Sequence, residues 1–282
     1  MIALGYTMIY GILRFINFAH GDVFMVGAFI GFYVAPKIKP LFGGSLAIAT
    51  PVVFIIAMLG CAALGVAIEK LAYRPLRARP KLTVLITAIG VSLFLEFGGQ
   101  LVFGPDPKLF PTLIPSSTVI NTRNLVIGTN SIAVIVTAFA LMLLLRFIVY
   151  NTKMGTAMRA VSYNHRAASL MGINIDTVIS FTFILGSGLA AAAALLYASV
   201  YPSINPLMGI FPGLKAFVAA VLGGIGNLAG AALGGLIIGL TETLVVGYIS
   251  PTFRDAIAFS ILILILLFKP SGIMGRNEPE KV

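Results

Sequence analysis

Long apolar runs without charges constrain this chain more than any other feature of its sequence. A helix needs about 20 mainly apolar residues to cross about 30 Å of hydrocarbon, and several runs meet that length. Three further runs are shorter and interrupted by Gly, Pro or polar residues, which is typical of half-helices or tilted helices. The predicted spans are 45–70, 82–104, 131–150, 175–200, 229–249 and 252–268, and the shorter segments are 1–13, 22–36 and 212–224. The sequence therefore predicts an all-α polytopic membrane protein with about eight to nine transmembrane segments, including broken or short helices.

Composition supports a lipid-facing surface. Hydrophobic residues make up 59% of the chain and charged residues 10%, whereas soluble domains carry roughly 25% charged residues. The formal net charge is +10, but the basic residues stand singly between apolar runs, so nucleic-acid binding is not expected. We expect one transmembrane domain over 1–282. The opening run before Arg14 is short for a span, which suggests that the natural first helix begins further upstream.

The distribution of Lys and Arg predicts the orientation of the chain. Basic residues concentrate in 70–81 and in 151–174, so the positive-inside rule places both loops in the cytoplasm. Threading the chain from these loops puts 37–44, 105–130 and 201–212 outside and the C-terminus inside. The outer loop after the second long run is rich in Pro, and its NLVIG sequence is strand-like.

The loop 151–174 contains a predicted surface helix. Its sequence TAMRAVSYNHRAASLMG has helix-forming residues, modest amphipathicity and a stop at Gly172. One interpretation is an ordinary basic tether between two spans. The other is a docking helix for a partner protein, because a membrane subunit without its own energy source needs a contact with one.

Charged residues at membrane depth are few and therefore informative. Glu96, with Gln100 one turn later, lies within 82–104, and Glu242 lies within 229–249. Burying a charge in the bilayer costs at least about 2.5–3.5 kcal/mol, so each carboxylate should face the bundle interior or water. A structural hydrogen bond and a place on a transport pathway are both open for the two residues.

A polar cluster of Asn17, His20 and Asp22 lies between two apolar half-segments. We predict a turn at a helix break there, with a binding role as the alternative. The sequences of 16–31 and 225–239 both place an Asn before a Gly-spaced apolar helix. They form a weak internal echo of the kind found in transporters built from repeats.

Small residues recur at intervals of four along several predicted helices. Such faces allow helix backbones to approach closely where lipid provides no hydrophobic driving force between spans. The sequence therefore predicts tight helix packing or a close subunit interface at these positions. They are Gly226, Gly230 and Gly234; Gly235 and Gly239; Gly27 and Gly31; and Gly186, Ala190, Ala194 and Ala198.

Signatures of catalysis are missing from the sequence. No GxxxxGK[ST] motif is present, so ATP is not bound in that way. The two histidines, His20 and His165, do not have zinc-site spacing, and the single cysteine, Cys61, lies in an apolar run. The LGSG sequence at 185–188 lacks the first glycine of a nucleophile elbow. We predict no catalytic residue, cofactor or metal ligand, and expect ATP hydrolysis on separate subunits.

Four segments resemble the branched-chain (hydrophobic) amino acid ABC importer permeases. GYTMIYGILRFINFAHGDVFMVGAFIG is similar to the N-terminal signature of that family, and GTAMRAVSYNHRAASLMGI to its cytoplasmic loop. GLKAFVAAVLGGIGNLAGAALGGLIIGLTETL is similar to its C-terminal core, and LLFKPSGIMG to its C-terminal end. The RAASLMG sequence keeps the spacing of the EAA…G loop, with Arg166 in place of Glu. Family members usually carry a further stretch of first helix before ALGYTMIYG.

This resemblance implies the permease subunit of an ABC importer for branched-chain or other hydrophobic amino acids in the cell inner (plasma) membrane. The implied partners, besides membrane lipid, are a second permease subunit, cytoplasmic ATPase subunits and a periplasmic or lipid-anchored substrate-binding protein. The implied ATPase-docking residues are Gly155, Arg159, Arg166, Ala167, Ala168 and Gly172. The breaks at 17–22 and 223–227 would bound the translocation path. With the two carboxylates at membrane depth, the candidate path residues are Asn17, His20, Asp22, Glu96, Asn227 and Glu242.

Two alternative functions remain open on the sequence. The first is a permease of the same architecture for urea, short amides or a sugar, because discrimination is expected to reside in the binding protein. The second is a channel or ion-coupled carrier in which Glu96 or Glu242 forms a proton or cation site. A membrane scaffold without transport would not need broken helices.

Overall fold

The structure, a computed structural model, describes residues 1–77, 79–114, 118–122 and 125–275. The predicted cytoplasmic tail beyond residue 275 lies outside this part of the chain. The described helices are α1 (Ile2–Leu13), α2 (His20–Leu41), α3 (Leu46–Ile68), α4 (Lys81–Phe103), α5 (Thr129–Asn151), α6 (Lys153–Tyr163), α7 (His165–Leu170), α8 (Ile175–Val200), α9 (Ile210–Gly223), α10 (Leu228–Tyr248) and α11 (Arg254–Phe268). The described strands are β1 (Lys108–Leu109), β2 (Thr118–Thr122), β3 (Leu125–Gly128) and β4 (Ser203–Ile204).

Seven helical segments in the described part of the chain are long and apolar enough to cross a membrane. They are α2, α4, α5, α8, α10, α3 continued to Leu76 through a π turn and a 3-10 turn, and α11 with the 3-10 turn before it. The six predicted long spans are therefore confirmed. The short helices α1 and α9 have 12 and 14 residues, as expected for 1–13 and 212–224.

Helix α2 corrects one prediction. The segment 22–36 was expected to be short and interrupted, but α2 runs for 22 residues and contains Pro36 and Pro40. Each proline removes one intrahelical hydrogen bond, because it has no N–H to donate to the carbonyl four residues earlier. Close packing of the preceding turns against neighbouring helices outweighs the loss.

Helix α8 forms the centre of the bundle, with α1, α2, α3 and α5 packed around it. Small residues allow these contacts, as predicted. A Cβ at Gly27 would lie 2.7 Å from the Cα of Ala191, and one at Gly186 would lie 3.6 Å from the Cα of Gly5. In contrast, Gly235 and Gly239 of α10 have no described neighbour within 4 Å of such a Cβ, so their small-residue face is not used within this subunit.

Contacts between helix ends show which loops lie together at each of the two ends of the bundle. At one end, Ser162 donates to the carbonyl of Gly11 (2.6 Å) and Arg77 pairs with Asp176 (2.7 Å). At the other end, β1 pairs with β4. The first group contains both Lys/Arg-rich loops, so the contacts agree with the predicted threading.

The two predicted loop elements take more definite forms. The surface helix within 151–174 is two helices, because Asn164 leaves the helical conformation and its side chain accepts a hydrogen bond from the Ala167 N–H (3.1 Å). This caps the start of α7 and ends α6. Gly172 follows with φ +79°, which confirms the predicted stop. The NLVIG strand is present as β3, paired antiparallel with β2, although Asn124 lies outside the described residues.

Candidate translocation site

Two helices begin inside the bundle and face each other there. Helix α2 begins at His20, whose ring packs against Gly5, about two turns before α1 ends. Helix α9 begins at Ile210, and its first turn meets that of α2 through glycine. A Cβ at Gly21 would lie 2.6 Å from the carbonyl oxygen of Gly209. The N-termini of two helices, with the positive partial charge of each helix dipole, therefore lie side by side within the membrane domain.

A buried carboxylate lies at this junction. Asp22, in the first turn of α2, is 2% exposed and accepts a hydrogen bond from the Ser92 hydroxyl. Ser92 is on α4, one turn before Glu96, and its hydroxyl lies 3.5 Å from a Glu96 carboxylate oxygen. The structure thus brings together two of the candidate path residues through a serine that links them.

A cavity of about 120 Å³ adjoins these groups. Its walls come from α1, α2, α4 and α9, and its polar side chains are Tyr6, Asp22, Ser92 and Glu96. The volume is sufficient for water. Carboxylates bind ammonium groups, and helix N-termini bind carboxylates, as in transporters whose interrupted helices face the substrate. The arrangement is therefore suited to a zwitterion.

Asn17 and His20 hold the break between α1 and α2. The Asn17 side-chain oxygen accepts a hydrogen bond from the Tyr73 hydroxyl (2.6 Å). His20 is fully buried, and its ring stands edge-on to that of Tyr6, with 4.9 Å between centroids. These contacts fit the predicted turn at a helix break.

Glu242 lies elsewhere, in an ion-pair network between α9, α10 and α11. Its carboxylate pairs with Lys215 (2.8 Å) and with Arg254 (3.0 Å), and Lys215 also pairs with Asp255 (2.6 Å). Two acids and two bases balance each other here, so the structural role left open for Glu242 is the one its contacts support. Lys215 is the charged residue within the apolar run of α9. A lysine in such a run is the sequence signal that could have predicted an ion pair with Glu242.

Asn227 also lies away from the cavity. Its side chain caps α10 by accepting from the Gly230 N–H (3.1 Å) and donates to the Met274 carbonyl (3.1 Å). The predicted break at 223–227 is therefore closed by the C-terminal segment rather than by the residues around Asp22.

The ion-pair network predicts that its two carboxylates, which share Lys215, contribute differently to the free energy of unfolding. We expect Glu242→Gln to lower the free energy of unfolding by about 2 kcal/mol, because it removes a buried carboxylate, leaves Arg254 without its partner and leaves Lys215 with Asp255 alone. Asp255→Asn is the matched control, since Asp255 is 45% exposed and an exposed pair is worth about 1 kcal/mol or less. Thermal unfolding of the purified chain measures both; equal losses would contradict the assignment.

The residues predicted for docking cluster on α6 and α7. Gly155 packs directly on the carbonyls of Ile148 and Val149, where no side chain fits. Arg159 stacks over the Tyr150 ring, 5.3 Å from its centroid. Arg166 and Ala167 are exposed, whereas Ala168 is buried.

Two exposed apolar side chains at the end of α7 were not identified from sequence. Leu170 is 88% exposed and Met171 is 82% exposed. In the RAASLMG sequence they lie between two of the predicted docking residues, Ala168 and Gly172. Large apolar side chains that project from a polar loop are a feature of protein interaction sites.

The chain is similar to known permeases along its whole length. Residues 1–266 match the family described as "Branched-chain amino acid transport system / permease component". The high-affinity branched-chain amino acid transport system permease protein BraD of Pseudomonas aeruginosa is 41% identical, over 100% of this chain and 93% of its own length. The corresponding LivH protein of Escherichia coli is 42% identical, over 100% of this chain and 92% of its own.

An archaeal relative extends the comparison. The probable branched-chain amino acid transport permease protein LivH of Methanocaldococcus jannaschii is 30% identical, over 98% of this chain and 88% of its own length. No solved structure gives a significant match to the chain. The relatives therefore define the family, and the geometry of the site comes from the present structure alone.

Proposed function

This chain belongs to the family of branched-chain amino acid transport permeases, and we propose that it is the membrane-spanning subunit of an ABC importer for branched-chain or other hydrophobic amino acids. The similarity covers the whole chain at 41–42% identity, and this is the observation that carries the proposal. The subunit lies in the cell inner membrane, as its importer family implies. Its C-terminus is in the cytoplasm, an orientation that the positive-inside rule supports.

The substrate passes the cavity beside Asp22, Ser92 and Glu96 in this proposal. A branched-chain amino acid is a zwitterion with an apolar side chain. The carboxylates match its ammonium group, and the helix N-termini at Gly21 and Gly209 match its carboxylate. A site near the junction of interrupted helices also fits alternating access, in which the subunit opens to one side at a time.

Energy reaches the subunit through α6 and α7. ATPase subunits dock on this pair of helices, with Leu170 and Met171 as the apolar contacts. A second permease subunit completes the pore, and a periplasmic or lipid-anchored binding protein delivers the amino acid. ATP binding and hydrolysis take place on the ATPase subunits.

Uptake of labelled leucine into proteoliposomes tests this function. The liposomes hold this chain, the second permease, the ATPase subunits and the binding protein. We expect ATP-dependent uptake that leucine and valine inhibit in competition and urea does not. Competition by urea or short amides would move the substrate to that class. Failure of the chain to bind any ATPase subunit would overturn the importer assignment.

The ion-coupled alternative has less support in the structure. Glu242 is paired with Lys215 and Arg254 and does not resemble a free proton or cation site. Uptake driven by an ion gradient without ATP would restore this alternative, with Glu96 as its remaining carboxylate.

The docking role of α7 predicts that its end conformation matters for coupling. Gly172 holds φ +79°, where a β-branched residue is strained. We expect Gly172→Val to lower uptake about fivefold or more, because the end of α7 must rearrange, with membrane insertion unchanged.

Gly44 gives a matched control for this substitution. It holds φ +80° at the opposite end of the bundle and has open space around it. Gly44→Val therefore imposes the same backbone strain away from α7 and should leave the ratio of uptake to ATP hydrolysis unchanged. Equal effects of the two variants would argue against docking on α7.

A further inference from the structure

A pocket lined by basic side chains lies at the end of the bundle that holds both Lys/Arg-rich loops. Its volume is about 180 Å³, and it lies between the end of α1, the start of α4, α7 and the start of α8. We call it the basic pocket and define it by five residues. They are Arg14, Arg77, Arg79, Lys81 and His165.

The acidic groups near the pocket are already engaged. Glu69 is fully buried and accepts hydrogen bonds from Arg77 and from the Ser180 hydroxyl (2.8 Å). Asp176 pairs with Arg74 and with Arg77 (2.7 Å). Arg77 thus has its counter-charges, and among the described residues no carboxylate is left over for the rest of the pocket.

Three cations of the pocket are uncompensated. Within the described residues, Arg14, Arg79 and Lys81 contact no carboxylate; Arg14 donates one long hydrogen bond, to the Ser162 carbonyl (3.4 Å). Like charges that converge on one pocket repel each other, and an anion bound between them relieves that repulsion. The positive-inside rule accounts for basic residues at this end of the bundle, but it does not account for their convergence on one pocket at the surface.

Two enclosed nitrogen atoms also lack partners. The Nε2 atom of His165 and the Nε atom of Arg77 are shielded from solvent and have no hydrogen-bond partner in the described part of the chain. Both residues line the pocket. A buried polar atom left without a partner is costly, and a ligand that accepts hydrogen bonds would satisfy these two atoms once the side chains of the pocket wall shift to expose them.

The position of the pocket relative to the membrane surface limits the chemical class of the ligand further. Lys81 is the first residue of α4 and Ile175 the first residue of α8, so the pocket lies where two spans reach the membrane surface. Val84 and Ile179, one turn deeper, add apolar walls. Phosphate groups are abundant at this level, and guanidinium groups bind them in a bidentate manner.

We propose that the basic pocket binds a phosphate group. The phosphate belongs either to the headgroup of an anionic phospholipid or to a soluble phosphate compound. Bound there, the phosphate contacts the end of α1, the start of α4 and His165 at the start of α7, and so connects these three elements. The pocket is therefore a ligand site separate from the cavity beside Asp22.

Binding to the full chain, co-purified with its transport partners in nanodiscs, tests this proposal without a transport assay. The probes are phosphatidylglycerol doped into phosphatidylcholine, followed by native mass spectrometry, and radiolabelled inorganic phosphate. The double variant Arg79→Gln/Lys81→Gln should weaken binding about 30-fold, because each basic residue near a phosphate contributes roughly fivefold. Both side chains are exposed, and neither contacts a carboxylate in the part of the chain that the structure describes. The variant therefore keeps its fold, and each single variant should show part of the loss.

Lys37→Gln/Lys39→Gln is the matched control. It removes the same charge near the C-terminal end of α2, at the opposite end of the bundle from the basic pocket. Retention of phosphatidylglycerol that inorganic phosphate does not displace identifies a lipid headgroup. Displacement by inorganic phosphate identifies a soluble ligand. Equal losses in the two double variants, or no binding of either probe, would overturn the proposal. Binding that appears only after removal of the ATPase subunits would also overturn it, by assigning the pocket to an ATPase carboxylate.

Discussion

Asp22→Asn is expected to lower leucine uptake by the assembled transporter about 10- to 100-fold. The change keeps the size of the side chain and its contact with Ser92, but it removes the negative charge that faces the cavity. A hydrogen bond to a charged group contributes about 1.5–3 kcal/mol, and 1.4 kcal/mol corresponds to a factor of ten. ATP-driven uptake into proteoliposomes measures the loss.

The controls for Asp22→Asn separate transport from folding. Asp106→Asn removes the same charge from an exposed loop position and should leave uptake within twofold of the unchanged chain. Basal ATP hydrolysis by the complex should persist in both variants, because α2, which carries Asp22, does not pack on α6 or α7 in the described part of the chain. Uptake by Asp22→Asn within twofold of the unchanged chain would remove the cavity from the translocation path.

The membrane spans were predictable because their signal is local. A run of apolar residues needs no partner to show that it must leave water, and helices such as α5 and α8 begin within two residues of their predicted starts. Helix α2 was underestimated for the opposite reason. Pro36 is a local signal for a break, whereas the packing of Gly27 against Ala191 that keeps the helix together is a contact between distant parts of the chain.

The candidate site was only half predictable. Asp22 and Glu96 stand out as charges in apolar surroundings, but the serine that links them is 70 residues from Asp22 in sequence. A single serine within a span carries no local mark of its role, since serine is common at helix contacts in membranes. Its position one turn before Glu96 is the only clue.

Glu242 shows that a carboxylate on a transport path and a carboxylate in a structural ion pair look alike in sequence. Each is an isolated acidic residue in an apolar run. The cation that decides between them, Lys215, is 27 residues away on another helix, and only the fold shows that the two meet at 2.8 Å. Charges in neighbouring apolar runs are better compared with each other than weighed one at a time.

Gly21→Ala is expected to lower the free energy of unfolding by about 3 kcal/mol, although alanine normally stabilises a helix relative to glycine. The added Cβ would lie 2.6 Å from the carbonyl oxygen of Gly209 and 3.2 Å from the Cα of Gly213. Backbone atoms cannot move aside as a flexible side chain does, so the two helix N-termini must separate. The same separation should widen the cavity and reduce uptake.

Gly235→Ala provides the control with the opposite sign. Gly235 lies within α10 and has open space where the Cβ would be, so the helix propensity of alanine should raise stability by about 0.5–1 kcal/mol. Thermal unfolding of both variants in the same detergent gives the comparison. A stabilising effect at Gly21 would show that the first turns of α2 and α9 are not in contact in the membrane, and the junction beside Asp22 would then lose its structural basis.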